Sequence, residues 1–303
     1  MKQQYEGFVL EAGPGIMFET LEGEDRQLII RAVKRMTKVN VYSKNYDNPP
    51  IPEGYEHVSG EWNEGFVIRR VQDGLEFVWV PVGSLDADGT LDGDSFTEKF
   101  GRRNYQKDSF SKHAFHEELE GELLVQLESV KKYGGFYVSR YNISLSVEGL
   151  PQTVKGGVPL VDISYDEAKK LAAMVETGPE ITSHLLFGAE YDSVLAWLVH
   201  SEAKTIEDIR EDSTAWGNHW NTNLGPQRVV ENGSCEEWSA NGIYDFAGNV
   251  DEWTQEESGS NLRVVRGGNY YYDGYDCPVC YRCGINPFRR YHNTGCRAAL
   301  CIK

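Results

Sequence analysis

The sequence predicts an α+β fold with few regular elements and long ordered loops. Three observations lead there. Short β-branched and aromatic runs bounded by Gly and Asp recur in the first half of the chain. A few segments carry apolar residues at three- and four-residue spacing. From about residue 205 the chain is rich in Gly, Asn and Trp and keeps no helical period. At 303 residues, one large domain or two can bury a core that needs no disulfide. A hydrophobic content of 40% with 25% charged residues is ordinary for a soluble globular protein.

Taken in order, residues 1–55 read as a small module. Residues 21–39 set Leu28, Ile29, Ile30, Ala32, Val33 and Met36 among charges. Glu22, Glu24 and Asp25 stand in the first turn, so an amphipathic helix is expected. The proline-rich stretch at 45–54 reads as a linker, leaving 56–303 as the main domain. Residues 65–69 and 76–81 read as strands, and 84–111 is polar and turn-rich. Phe115, Leu119, Leu123, Leu127 and Val130 predict a helix ended by Gly134-Gly135, with a strand following over 134–144. Ser164 with Glu167 forms a capping box that opens a second helix. Residues 186–200 predict a third, of apolar character.

The net charge of −17 excludes general nucleic-acid binding, which needs a basic stripe to neutralise phosphates. The start has no basic region followed by an apolar run, and no segment reaches the length of a membrane span. Synthesis in the cytoplasm without a signal peptide is therefore expected. From Arg266 onward the local sign reverses, since Arg266, Arg282, Arg289, Arg290, Arg297 and Lys303 oppose only Asp273 and Asp276. A basic, aromatic tip suits polar or anionic ligands. No Ser, His and Asp stand in a hydrolase-like context, and Gly267-Gly268 is a turn rather than a phosphate loop.

The stretch 266–297, RGGNYYYDGYDCPVCYRCGINPFRRYHNTGCR, is unlike a core. Between residues 269 and 296 there is no Lys, Glu, Gln, Met or Trp, types that make up roughly a fifth of a usual chain. Codons ending in a pyrimidine cannot encode those five. One reading is that many codons began as AAC or AAT and were randomised at their adenines; the other is an aromatic loop with an accidental gap in composition. Cys277, Cys280 and Cys283 repeat at a spacing like that of iron–sulfur or zinc ligands, but three are not four. Cys296 or His292 would have to complete such a site.

Several motifs carry a resemblance. FVWVPVG at 77–83, GGFYVSRYNIS at 134–144, VPLVDISYDEAKKLA at 158–172, FGAEYDSVLAWL at 187–198, NGIYDFAGNVDEWT at 241–254, RVVRGGNY at 263–270 and GCRAAL at 295–300 follow the order seen in the formylglycine-generating enzyme family. The likeness spans residues 60–303 and implies a variant of the C-type lectin fold. In the family's enzymes two cysteines after the RGG-like turn hold copper and drive oxidation of a substrate cysteine. By that resemblance the second position is Cys277, but the first is Tyr272, and one thiolate with a tyrosine does not make the linear Cu(I) site. Copper and oxidase activity are therefore not expected. The alternative is a copper-dependent oxidase resting on Cys277, with Cys280 or Cys283 as a displaced partner. The resemblance also implies structural calcium, held by Asp245, the carbonyls of Gly248 and Val250, and Glu252.

The C-terminal stretch is more similar to the variable proteins of diversity-generating retroelements, often carried by phages and gut bacteria. In these, mutagenic reverse transcription replaces adenines near the 3′ end of a gene on a lectin-type scaffold. The resemblance implies a variable region over about 269–294. Fixed positions would be 266–268, Gly274, Pro278, Arg282, Pro287, Gly295 and Arg297. The display positions would be Tyr271, Tyr272, Asp273, Tyr275, Asp276, Cys277, Cys280, Tyr281, Cys283, Gly284, Ile285, Phe288, Arg289, Tyr291 and His292. Tyrosine gives large amphipathic contact at low entropic cost. The expected function is binding of a protein or glycan ligand, with residues 1–55 free to attach to a phage particle or accessory protein. A phage virion or a cell surface is then the expected destination. A fixed sugar-binding or structural module is the remaining alternative.

Overall fold

The computed structural model describes residues 48–83, 115–116, 121–222, 228–259 and 261–303, together with four short strands before residue 30. The chain divides into two compact units, Met1–Tyr42 and Ser43–Lys303. In the first, Lys2–Tyr5 (β1) pairs antiparallel with Phe8–Glu11 (β2), and Glu19–Thr20 (β3) with Leu28–Ile29 (β4). The helix expected over 21–39 lies mostly outside the described residues, and its two described members form β4 instead. The proline-rich stretch belongs to the second unit. Pro49 is buried, and the Tyr137 hydroxyl donates to the Pro50 carbonyl at 2.9 Å, so this segment packs on the body rather than bridging two bodies.

The second unit is built on a six-stranded antiparallel sheet. Its strands are Tyr55–Ser59 (β5), Val67–Arg70 (β6), Glu76–Pro81 (β7), Gly135–Ser139 (β9), Ile181–Leu185 (β12) and Ala298–Ile302 (β19), in the order β12-β19-β9-β7-β6-β5. Every residue of β9 is buried, and β7 is buried from Phe77 to Pro81. That explains their unbroken β-branched and aromatic runs. Phe115–His116 (β8) pairs with Asp251–Ser258 (β15), so Phe115 does not begin the helix predicted there. The helix starts later, as Gly121–Tyr133 (α1), and buries Leu123, Leu127 and Val130. Ser144–Leu145 (β10) and Pro151–Gln152 (β11) make a hairpin.

Helix α2, Tyr165–Met174, has its capping box: the Ser164 hydroxyl accepts from the Glu167 N–H while the Glu167 carboxylate accepts from the Ser164 N–H. Such a cap contributes about 1 kcal/mol. Helix α3, Gly188–His200, buries every residue from Gly188 to Leu198 because it packs on both β7 and β15. Hence its all-round apolar sequence. A short helix, Ile206–Arg210 (α4), follows. Ser239–Ala240 (β13) pairs with Ile243–Tyr244 (β14). A second sheet runs Cys283–Ile285 (β17), Leu262–Arg266 (β16), β15 and Thr294–Gly295 (β18), the last pairing parallel with β15. The segment between β16 and β19 thus spans one sheet and returns to the middle of the other. Trp79, Trp197, Trp216 and Trp253 are fully buried in the core. No helix among the described residues is long and apolar enough to cross a membrane.

Candidate functional site

The C-terminal segment begins at a turn that only glycine tolerates. Gly267 and Gly268 have φ of 100° and 71°, a left-handed conformation costly for other residues. A side chain on Gly268 would also overlap the Cys277 carbonyl. Three arginines then pin the segment from inside. Arg266 pairs with Asp192 at 2.9 Å and Glu256 at 3.6 Å, and lies 4.3 Å from the Tyr191 ring centroid. Arg282 pairs with the same two acids. Arg297 bonds Glu252 at 2.9 Å and donates to the carbonyls of Ser139 and Tyr244 at 2.9 and 2.8 Å. All three are fully buried. This corrects the expectation of a basic tip: their charge is spent inside the protein, and Arg290 pairs with Glu167. No Lys, Arg or His occurs from Asn269 to Tyr281, where Asp273 and Asp276 remain.

Above these anchors the display positions divide by burial. Tyr271, Tyr272, Tyr275 and Phe288 are 55%, 47%, 58% and 80% exposed, and Asp276, Arg289 and His292 are exposed with them. Asp273, Cys277, Tyr281, Cys283, Gly284, Ile285 and Tyr291 are half-buried. Cys280 is a correction: it is wholly buried, its N–H donates to the Ile209 carbonyl, and it faces the core rather than a ligand. Gly284 is constrained too, since a Cβ there would overlap the Ser258 side chain across the strand. Among the expected framework positions, Gly274, Pro278 and Gly295 are buried, and a side chain on Gly274 would run into the Thr214 backbone.

Sequence reasoning missed Trp220. It is 45% exposed and meets Tyr271 edge-on at 6.0 Å between ring centroids, while Tyr271 meets Tyr272 at 5.6 Å. The Trp220 backbone N–H donates to the Tyr272 carbonyl at 3.0 Å. Beneath Tyr272, His219 is buried, and the lost hydration pushes its pKa down to about 4, so it is neutral at physiological pH. The cluster of Trp216, His219 and Trp220 in a Gly- and Asn-rich loop was the one sequence signal available.

The thiols offer little for redox or nucleophilic chemistry. Burial pushes Cys277 up to about 12 and Cys283 up to about 11, with the Asp251 charge opposing ionisation of both. Asp251 is itself pushed up to about 7 by burial. Among the described residues no three or more His, Cys, Asp or Glu side chains gather as a metal cluster. The donor set at Tyr272 and Cys277 therefore does not fit the two-thiolate copper site.

The calcium candidates are placed differently. Asp245 accepts from the Gly233 N–H at 2.8 Å with one carboxylate oxygen and leaves the other buried without a partner. Glu252 takes Asn142 and Arg297 on one oxygen, and its second is likewise without a partner. Val250 donates its N–H to the Gly248 carbonyl at 2.8 Å. The side-chain carbonyls of Asn142 and Asn232 are buried and unpartnered as well, and the Asn232 amide donates to the Asn142 backbone carbonyl. Four orphaned oxygens in one bonded cluster are a donor set that fits a hard cation.

A search of curated proteins finds no match. Among solved structures, variable protein 1 of Treponema denticola is 14% identical and superposes with a TM-score of 0.40, covering 56% of this chain and 85% of that one. CarF is 14% identical with a TM-score of 0.41, covering 56% and 87%. PvdO from Pseudomonas aeruginosa is 17% identical with a TM-score of 0.47, covering 78% and 98%. The model of the sulfatase-modifying factor enzyme 1-like domain matches residues 142–302. With more than half its length so matched, the chain belongs to the sulfatase-modifying factor enzyme 1-like domain family, and its mixed, loop-rich architecture is the formylglycine-generating-enzyme variant of the C-type lectin fold.

Proposed function

We propose that this protein is a non-enzymatic ligand-binding protein whose C-terminal region is diversified by a retroelement. One observation carries the reading. The exposed tyrosines and Phe288 stand on loops whose conformation is held by buried Arg266, Arg282 and Arg297, so the contact surface and the fold are served by different residues. That separation is what tolerance of variation requires, and aromatic contact residues suit a binding surface. The copper-dependent alternative is disfavoured by thiols that burial holds protonated and by tyrosine at one copper position. Calcium bound by Asp245 and Glu252 with the Gly248 and Val250 carbonyls, joined by the orphaned amide oxygens of Asn142 and Asn232, would be structural and would brace the loop beneath the surface.

Sequencing around the 3′ end of the gene tests the proposal directly. A near-copy of the coding region for 266–297, differing almost only at adenines, is expected. Its absence would make the aromatic surface a fixed site. In the protein, the combined change of Tyr271, Tyr272 and Tyr275 to Ala should leave unfolding within about 1 kcal/mol of the parent while abolishing ligand binding. Broad destabilisation by these exposed substitutions would contradict the separation.

A further inference from the structure

The aromatic surface continues past the variable region. We infer that Trp220, a constant ring from outside that region, forms with Tyr271 and Tyr272 of this copy a platform that receives a lysine or arginine side chain of a protein partner. This rests on the ligand-binding reading and adds the chemistry of the ligand.

The geometry is that of a preformed site. Besides the Trp220 backbone N–H to Tyr272 carbonyl bond, the Asn221 side-chain oxygen accepts from the Gly274 N–H at 3.3 Å and lies 3.2 Å from the Thr214 hydroxyl. The Thr222 hydroxyl accepts from the His219 N–H at 3.0 Å and donates to the Gly217 carbonyl at 2.7 Å. The two loops are stitched together at successive residues, so little freedom is lost on binding. The three rings meet edge-on and each stays about half exposed, and aromatic faces carry the negative side of the quadrupole.

The surrounding charge has the same sign. Asp212, Asp273 and Asp276 lie on the two loops. Neither loop supplies a Lys or Arg over 212–222 or 269–281, and the one histidine, His219, is buried and neutral. An anionic ligand would meet repulsion here, and a neutral sugar, though its hydroxyls can bond the carboxylates, would gain nothing from their net charge. A flexible cation on a protein surface gains from both rings and acids, and the chain's net charge of −17 steers it in.

The test uses the full chain with tetralysine, tetraarginine and tetraglutamate amides as probes, titrated by calorimetry at low and at physiological salt. The basic peptides are expected to bind and the acidic one not. Trp220→Ala should weaken binding by about fivefold or more, as expected for loss of a cation–π contact. Trp220→Phe should retain most of it, and the double change of Asp273 and Asp276 to Asn should weaken it. Val147→Ser, at a hairpin tip elsewhere, serves as the neutral control. Binding that survives Trp220→Ala while the variant melts like the parent would be diffuse attraction to the net charge and would overturn the inference. So would failure of the basic peptides to bind, or preference for phosphocholine vesicles over them. These outcomes are separable from failure of the diversification reading, which the missing adenine-differing near-copy alone would show.

Discussion

His219 illustrates how far a single residue can escape notice in a sequence and still be constrained by structure. It is buried, and its ring has at most a weak contact with the Tyr272 backbone to hold a proton. Because its folded pKa lies at about 4, below the ordinary 6.5, the unfolded chain binds a proton that the folded one refuses. Stability is therefore full above about pH 6.5 and falls as pH drops toward 4, by on the order of 3 kcal/mol at the limit. Replacing His219 by Gln should flatten that acid-side loss in urea unfolding followed from about pH 7 to about pH 4.5. An unchanged slope would place the acid sensitivity elsewhere. Neither His219 nor Trp220 was legible as a site residue, because the bonds of Trp220 and Asn221 to the 272–274 loop, not local period, place this loop. Cys280 was misplaced for a related reason: its N–H is tied to the remote Ile209 carbonyl, and it is buried between Val279 and half-buried Tyr281.

Elements were legible where local signals and tertiary packing agree. Ser164 and Glu167 mark the start of α2 because the cap is made within one turn. Residues 76–81 read as a strand because they are buried on both faces. Phe115 was misread as helical because its partner, β15, lies far along the chain, and a remote pairing overrides helical spacing. The basic tip was misread because counting charges ignores where the guanidinium groups go. That correction yields a prediction at the level of the loop between β16 and β19. Arg282→Met would leave Asp192 and Glu256 short of a buried partner and should cost about 3–5 kcal/mol. Arg289→Met, at an exposed position, should stay within about 0.5 kcal/mol in the same denaturation series. Equal effects would mean that the buried pairs do not anchor the loop.

For the whole molecule, the family motifs made the fold legible from residue 60 onward, although the strand pairing that puts β19 between β12 and β9 was not. The four orphaned oxygens around Asn142, Asn232, Asp245 and Glu252 predict that calcium joins distant parts of the chain. Chelation of calcium should lower the melting temperature by several degrees, about 2–4 °C for each kcal/mol in a protein of this size, with recovery on adding calcium but not magnesium. No change on chelation would leave those oxygens to water. The position of β19 has a further consequence for heredity. This strand is read only after the aromatic segment 269–294, yet it fills an inner place in the main sheet. A frameshift or premature stop anywhere over 269–294 would remove it, and the sheet would lose the strand that joins β12 to β9. Such a copy would be cleared as an unfolded chain. The last strand thus reports on the reading frame of everything before it: side-chain substitutions over 269–294 leave it in place, whereas a shifted frame there removes it.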